Sequence, residues 1–157
     1  MNTPRFPKLT LSVQFQAKMF DTHKLLLPRA RISSWVRSAL LAHAVLTIRF
    51  VDEQESRLLN YSYRGKNYPT NVLTFSYGRL HNKAISGDLI ICCPVVEREA
   101  YEQYKQLDAH YAHLIVHGVL HAQGFDHKND KLAHEMESIE KNILAKLGYL
   151  DPYMQPG

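Results

Sequence analysis

Cysteine is scarce in this sequence of 157 residues, and the two that occur, Cys92 and Cys93, are adjacent. Adjacent cysteines are poorly placed for a structural disulfide, and their scarcity is typical of a reducing compartment. We interpret them as buried residues at the end of a strand, with a vicinal thiol switch as the alternative. The sequence also lacks an apolar run of the roughly 20 residues that a membrane helix needs, and an apolar leader core near its start. These absences predict a cytoplasmic protein that does not enter a membrane.

Internal repeats, low-complexity tracts and recognisable linkers are also missing, which predicts a single domain over residues 1–157. The content of 45% hydrophobic and 22% charged residues is ordinary for a globular protein and does not indicate a disordered chain. Nineteen basic residues against fifteen acidic ones give a net charge of +4. This modest positive balance is compatible with a polyanionic partner such as nucleic acid, but it does not establish one.

Hydrophobic periodicity predicts the element order β-α-β-α-β-β-α-α-α. This order indicates an α+β fold, a single domain in which helices pack on a small four-stranded mixed sheet. Asp52, Asp108 and Asp130 are the predicted N-caps of three helices. Residues 61–70 are predicted to form a polar, aromatic loop, and Glu135, Glu137 and Glu140 the solvated face of the last helix. The predicted strands cover 9–15, 46–50, 72–77 and 85–93; the predicted helices cover 28–43, 52–59, 94–107, 109–123 and 130–147.

The segment HGVLHAQGFDH at positions 117–127 carries the most specific pattern in the chain. His117 and His121 are four residues apart and therefore lie on one face of the predicted central, buried helix. Gly124 is suited to end that helix in the left-handed conformation, so that the chain folds back and brings in His127. Three histidine ligands leave one tetrahedral position open, which is typical of a catalytic zinc site.

The spacing is that of the zinc peptidase pattern H-E-x-x-H-x-x-G-x-x-H, with Gly118 in place of the glutamate. The metal ligands survive that change, but the base that takes a proton from water in those peptidases does not. The predicted helix that carries His117 and His121 is therefore zincin-like, while a metallopeptidase activity is disfavoured.

Three other polar residues lie in or just before the histidine motif in the sequence. His110 and His113 are interpreted as surface residues or as hydrogen-bonding partners of the ligands, rather than as a fourth ligand. Asp126 has three readings that the sequence leaves open. It could orient an imidazole, accept a proton from the metal-bound water, or cap backbone amides in a turn.

Cations and aromatic residues alternate in the segment YSYRGK at positions 61–66. Arg64 could hold a phosphate through paired hydrogen bonds, and the tyrosines could stack on unpaired bases. From composition alone, a surface loop whose charges serve solubility is the favoured interpretation.

Taken together, these motifs resemble the YbeY family, which are bacterial single-domain, metal-dependent endoribonucleases. The resemblance covers about residues 9–149 and rests on the histidine motif, on YRGKNYPTNVLTF at 63–75, on GDL at 87–89 and on PVVERE at 94–99.

The resemblance implies one Zn²⁺ per chain, bound by His117, His121 and His127, although imidazole also suits Ni²⁺. It also implies that Arg64 is a site residue, which reverses the interpretation from composition. The implied function is cleavage of single-stranded RNA in the cytoplasm, in maturation of the 3′ end of 16S rRNA and in ribosome quality control. The implied partners are the ribosome, its RNA and ribosome-associated proteins.

Two alternatives remain open: a ribosome-assembly or RNA-binding factor with a structural zinc and little nuclease activity, and the disfavoured metallopeptidase. The sequence does not supply a clear general base. Metal-bound hydroxide could attack without one, or the RNA 2′-hydroxyl could be the nucleophile. The oligomeric state is not predicted.

Overall fold

The computed structural model describes residues 5–16, 23 and 25–154. Within these residues the element order is the predicted one, with four strands and five helices. The strands are β1 (Leu9–Phe15), β2 (Ala44–Val51), β3 (Val72–Arg79) and β4 (Ile85–Cys92). The helices are α1 (Arg29–Ser38), α2 (Glu53–Arg64), α3 (Cys93–Glu102), α4 (Leu107–Ala122) and α5 (Asp130–Lys146).

The strands form one mixed sheet in the order β1-β2-β4-β3, which confirms the predicted α+β class. The β1/β2 and β2/β4 pairs are parallel, and the β3/β4 pair is antiparallel. A register shift between Ser76 and Gly78 interrupts the last pairing. Antiparallel β3 is therefore an edge strand, and the two strands at the centre of the sheet are β2 and β4.

Helix α4 lies at the centre of the molecule, as its apolar character predicts. It contacts α1, α3, α5, β3 and β4. Ile115, Val119 and Leu120 are fully buried in the same core as Ile48 of β2 and Leu89 of β4. A helix buried on nearly all sides has little freedom to move, so it is a rigid support for polar residues at its ends.

Helix α2 is longer than predicted, and residues 61–64 form its last turn instead of the start of a loop. Asp52 is its N-cap, as predicted, and accepts the Glu55 backbone N–H at 2.9 Å. The Glu55 carboxylate does not complete a capping box, because it binds Arg49 at 2.6 and 3.0 Å. The helix ends at Gly65, which has a φ of 70° in the left-handed region.

Two predicted N-caps are wrong by one or two positions. Gln106 precedes α4, and Asp108 lies in the first turn, where its carboxylate binds Arg31 at 2.9 Å. Asn129 caps α5 by accepting the Leu132 N–H at 2.9 Å, and Asp130 is the first helical residue.

Several predicted bounds also differ by more than one residue. Helix α1 ends at Ser38 instead of residue 43, and α3 ends at Glu102 instead of residue 107. Strand β2 begins two residues earlier than predicted, at Ala44, and β3 continues two residues further, to Arg79.

Cys92 and Cys93 are free and buried at the junction of β4 and α3, which confirms the predicted placement at a strand end. Burial raises the pKa of Cys93 to about 12, so its thiol stays protonated. In the described part of the chain, no helix combines the length and the apolar character needed to cross a membrane.

Candidate metal centre

The three motif histidines meet at the C-terminal end of α4. The helix ends in a Schellman motif, in which the Gly124 N–H binds the His121 carbonyl at 3.0 Å and the Phe125 N–H binds the Leu120 carbonyl at 3.2 Å. Gly124 has a φ of 106°, so the chain folds back at this residue as the sequence predicts. The ring centre of His127 then lies 5.6 Å from that of His117 and 5.9 Å from that of His121.

Hydrogen bonds fix the tautomers of two of these imidazoles. The Nδ1–H of His121 donates to the Phe125 carbonyl at 2.9 Å. The Nδ1–H of His117 donates to the Glu140 carboxylate. In both rings Nε2 is therefore the nitrogen with a free lone pair. Such pairing of a histidine with a carbonyl or a carboxylate is typical of metal ligands, so these two rings present Nε2 as ligating imidazoles do.

Solvent reaches this end of the helix. The side chain of His117 is 25% exposed, His121 is half-buried and His127 is exposed. Polar ligands at the accessible end of a buried helix can hold an ion that a substrate in solution can approach.

Glu140 is the main residue that sequence reasoning placed wrongly. The sequence predicts it on the solvated face of the last helix, but it is fully buried. Its spacing from Met136 and Leu144, four residues to either side, puts it on the inward stripe of α5. That spacing is the feature of the sequence from which the burial of Glu140 could have been predicted.

The surroundings of Glu140 keep its carboxylate ionised. Burial alone would raise its pKa, but hydrogen bonds from His113, His117 and Tyr153 and the charge of His117 outweigh burial and lower the pKa to about 2. A fully buried carboxylate is therefore paired with groups that also surround the candidate metal site.

His113, His117 and Glu140 form a second arrangement that could hold an ion. Their candidate ligand atoms all lie within 4.8 Å of one another. In this arrangement His117 would use Nδ1, whereas in the motif arrangement it would use Nε2. Because both arrangements share His117, replacement of His121 or of Glu140 distinguishes them.

His110 and His113 are both buried, so their interpretation as surface residues is wrong. His110 binds the Glu99 carboxylate at 3.0 Å through Nε2. His113 lies 3.2 Å from the Tyr153 hydroxyl and 3.4 Å from the Glu140 carboxylate, also through Nε2. His113 therefore contacts Glu140, which is the hydrogen-bond partner of His117.

Arg64 lies at the exposed end of α2, where its Nη1 contacts the Asn60 side chain at 3.4 Å. The preceding Tyr63 packs edge-on against Phe75 of β3, with ring centres 4.7 Å apart. The next residue along β3, Ser76, donates a hydrogen bond to the carbonyl of Ala122 at the end of α4. One edge strand thus connects the end of α2 with the end of α4.

Asp126 makes the contact of a turn residue. Its Oδ1 accepts the backbone N–H of Lys128 at 2.8 Å, and its Oδ2 lies 3.9 Å from the Lys128 ammonium. Capping of a local amide was one of its three readings, and this contact favours that reading.

Gly118 faces the sheet and not the histidines. A Cβ atom at this position would lie 2.6 Å from Cδ2 and 2.9 Å from Cγ of Leu89. The place where the peptidase pattern has a glutamate is therefore a close contact between α4 and β4, in which a longer side chain has no room. This packing is a physical reason for the glycine.

An α+β domain with a histidine cluster at the end of its central helix defines the class of a candidate metal-dependent enzyme. The sequence model of the family described as endoribonuclease YbeY matches residues 17–148. The chain therefore belongs to the YbeY family.

Curated relatives support this membership over nearly the whole chain. The protein named endoribonuclease YbeY of Paraburkholderia phytofirmans is 59% identical over 150 residues, which are 95% of this chain and 98% of that protein. The protein of the same name from Cupriavidus necator is 63% identical over 126 residues, which are 80% of this chain and 64% of that protein.

Similar folds also occur among solved structures. TM1509 from Thermotoga maritima matches with a TM-score of 0.55 over 93% of this chain and 100% of that chain, at 20% identity. This likeness shows the fold alone.

Proposed function

We propose that this protein is a zinc-dependent endoribonuclease that cleaves single-stranded RNA in the cytoplasm. Its proposed role is maturation of the 3′ end of 16S rRNA and ribosome quality control, with the ribosome and ribosome-associated proteins as partners. The observation that carries the proposal is the cluster of His117, His121 and His127 at the accessible end of α4, in a chain of the YbeY family.

His117, His121 and His127 would hold the ion, one per chain. A bound zinc ion supplies Lewis-acid chemistry, which lowers the pKa of water to about 7 and polarises a phosphoryl oxygen. Zn²⁺ is the ion proposed for the three imidazoles, and other divalent metals such as Ni²⁺ and Cu²⁺ also suit imidazole ligands.

Arg64 would bind the phosphate of the scissile linkage and stabilise the negative charge that develops there. Its guanidinium contacts Asn60 through one nitrogen, so further N–H donors are available to a phosphate. Loss of one such electrostatic contact costs roughly 10²- to 10³-fold in turnover at comparable sites. The side chain is exposed, which also makes it available to RNA in solution.

Asp126 is the candidate proton acceptor among the motif residues. Its Oδ1 is occupied by the Lys128 N–H, while Oδ2 has only a distant lysine partner. The RNA 2′-hydroxyl is the alternative nucleophile, and its proton would also need an acceptor. Attack by the 2′-hydroxyl would leave 2′,3′-cyclic phosphates on the products, whereas attack by water would not.

Cleavage of a single-stranded RNA with analysis of the product ends tests this function. We expect zinc-loaded wild type to cleave, His117→Ala to be inactive, and Arg64→Ala to lose at least 10²-fold in rate while it stays folded. Arg57→Ala is the matched control, since Arg57 is an exposed arginine on the same helix. Full cleavage by folded Arg64→Ala would overturn its catalytic assignment.

Chelation with a stability readout and a peptide cleavage assay separate the two other functions. An assembly factor with a structural zinc would unfold when the metal is chelated and would show no cleavage that depends on Arg64. A metallopeptidase would cleave peptides in a chelator-sensitive way, and we expect none because Gly118 replaces the required glutamate.

A further inference from the structure

The segment after α5 runs back over the start of α4. Tyr149 anchors it, because its backbone N–H binds the Leu144 carbonyl at 2.9 Å and its hydroxyl lies 3.4 Å from Asp108. The ring of Tyr149 also packs edge-on against Trp35, with ring centres 6.4 Å apart. The segment then brings the hydroxyl of Tyr153 to Glu140.

Both oxygens of the buried Glu140 carboxylate are occupied. Oε1 accepts the Nδ1–H of His117, and Oε2 accepts the hydroxyl hydrogen of Tyr153. The Nε2 of His113 lies 3.4 Å from the same Oε2. A carboxylate held at both oxygens cannot rotate freely, so the direction in which it presents Oε1 to His117 is fixed.

We propose that Glu140 is a positioning residue for His117, and that Tyr153 holds Glu140 in place. The segment after α5 is then part of the metal centre, although it supplies no ligand. This inference rests on the proposed function only in taking His117 as a metal ligand.

A comparison with His121 explains why His117 needs this support. The acceptor for His121 is the Phe125 carbonyl, which the Schellman turn fixes in position. The acceptor for His117 is a glutamate side chain, whose rotatable bonds permit many arrangements. Tyr153 and His113 restrict that freedom through their contacts with the Glu140 carboxylate.

The positioning role differs from direct ligation by Glu140. A positioning glutamate requires that Nδ1 of His117 carries a hydrogen, which leaves Nε2 for the ion. Direct ligation in the group of His113, His117 and Glu140 would require that hydrogen to be absent. The two assignments therefore predict different effects when Glu140 or His121 is replaced.

Zinc affinity of the full-length protein, measured by competition with a chelating dye, tests the proposal. Replacement of partners of metal-binding histidines typically costs 10- to 100-fold in affinity. We expect a loss in this range for Glu140→Gln and a loss of roughly tenfold for Tyr153→Phe. Tyr149→Phe is the matched control, because it removes a hydroxyl from the same segment that does not contact Glu140, and its affinity should stay within about twofold of wild type.

Two further measurements separate positioning from a general loss of stability. The metal-free variants are unfolded with denaturant, and the visible spectrum of the Co²⁺-loaded proteins is recorded. We expect the spectrum to change in Glu140→Gln and Tyr153→Phe but not in Tyr149→Phe, whatever the order of their stabilities. If Glu140→Gln does not fold, Tyr153→Phe decides the question.

Equal losses of affinity in Tyr153→Phe and Tyr149→Phe would overturn the proposal, as would wild-type affinity in Glu140→Gln. Complete loss of zinc in Glu140→Gln beside a full equivalent in His121→Ala would assign Glu140 as a ligand instead. RNA cleavage is measured separately. Unchanged zinc affinity in Glu140→Gln beside normal cleavage by wild type would overturn the positioning role and leave the nuclease function in place.

Discussion

His117 and Gly118 are neighbours on α4 with opposite surroundings. His117 faces the histidine cluster and is partly exposed, whereas Gly118 is buried against Leu89 and Thr74. The residue that departs from the peptidase pattern is therefore explained by helix–sheet packing, while the role proposed for its neighbour is to bind a metal ion.

Gly118→Ala should destabilise the protein by about 1–3 kcal/mol, because the added Cβ would overlap Leu89. Denaturant unfolding of the metal-free protein measures this cost. Leu89→Ala removes the atoms in conflict, so the double variant should be more stable than the sum of the two single changes predicts. Strictly additive costs would contradict the steric explanation.

His121→Ala should lose the bound metal, because two imidazoles are a weaker donor set than three. Elemental analysis of the purified protein measures the metal content. His134→Ala, which changes an exposed histidine on α5, should keep a full equivalent. A full equivalent in His121→Ala would falsify the ligand assignment.

The helix termini show where a sequence pattern is ambiguous. Asn129 and Asp130 are adjacent, and both residue types cap helices well, so composition could not choose between them. The structure selects Asn129, whose side chain reaches the N–H of Leu132.

Asn129→Ala should therefore destabilise the protein by about 1 kcal/mol through loss of the N-cap of α5. Asp130→Ala is the control, and it should cost only a few tenths of a kcal/mol through the helix dipole. Thermal unfolding of both variants at equal metal content checks the order. A larger cost for Asp130→Ala would contradict the observed cap.

The three histidines could be predicted because their geometry is local. A spacing of four on a helix and a glycine at its end fix the relative positions of His117, His121 and His127 without knowledge of the rest of the fold. Glu140 could not be predicted in the same way, because its contact with His117 depends on how α5 packs against α4.

The element order could be predicted from hydrophobic periodicity. The last turn of α2 could not, because its polar and aromatic residues are also typical of loops.

At the scale of the whole molecule, the ionisation of Glu140 makes the free energy of unfolding depend on pH. Its pKa is lowered in the folded protein, so its contribution to stability is present above about pH 4.5 and is lost as the pH falls towards 2. For the metal-free protein, we expect Glu140→Gln to be less stable than wild type at neutral pH, and the difference to shrink in acid.

Unfolding free energies between pH 7 and pH 3 measure that difference. Glu135→Gln is the matched control, since Glu135 is an exposed glutamate on the same helix. Its difference from wild type should be small and nearly independent of pH. A constant difference for Glu140→Gln would contradict the ionised, paired state of the buried carboxylate.

The central place of α4 has a consequence for synthesis of the chain. The apolar faces of β2 and β4 are made before the helix that covers them, since residues such as Ile48 and Leu89 precede Ile115 and Leu120. A nascent chain that ends before residue 107 therefore exposes a sheet surface without its cover, which is a substrate for chaperones. The core can close only when the segment that carries His117 and His121 leaves the ribosome, and the proposed metal site is complete only later, once His127 and Glu140 have followed.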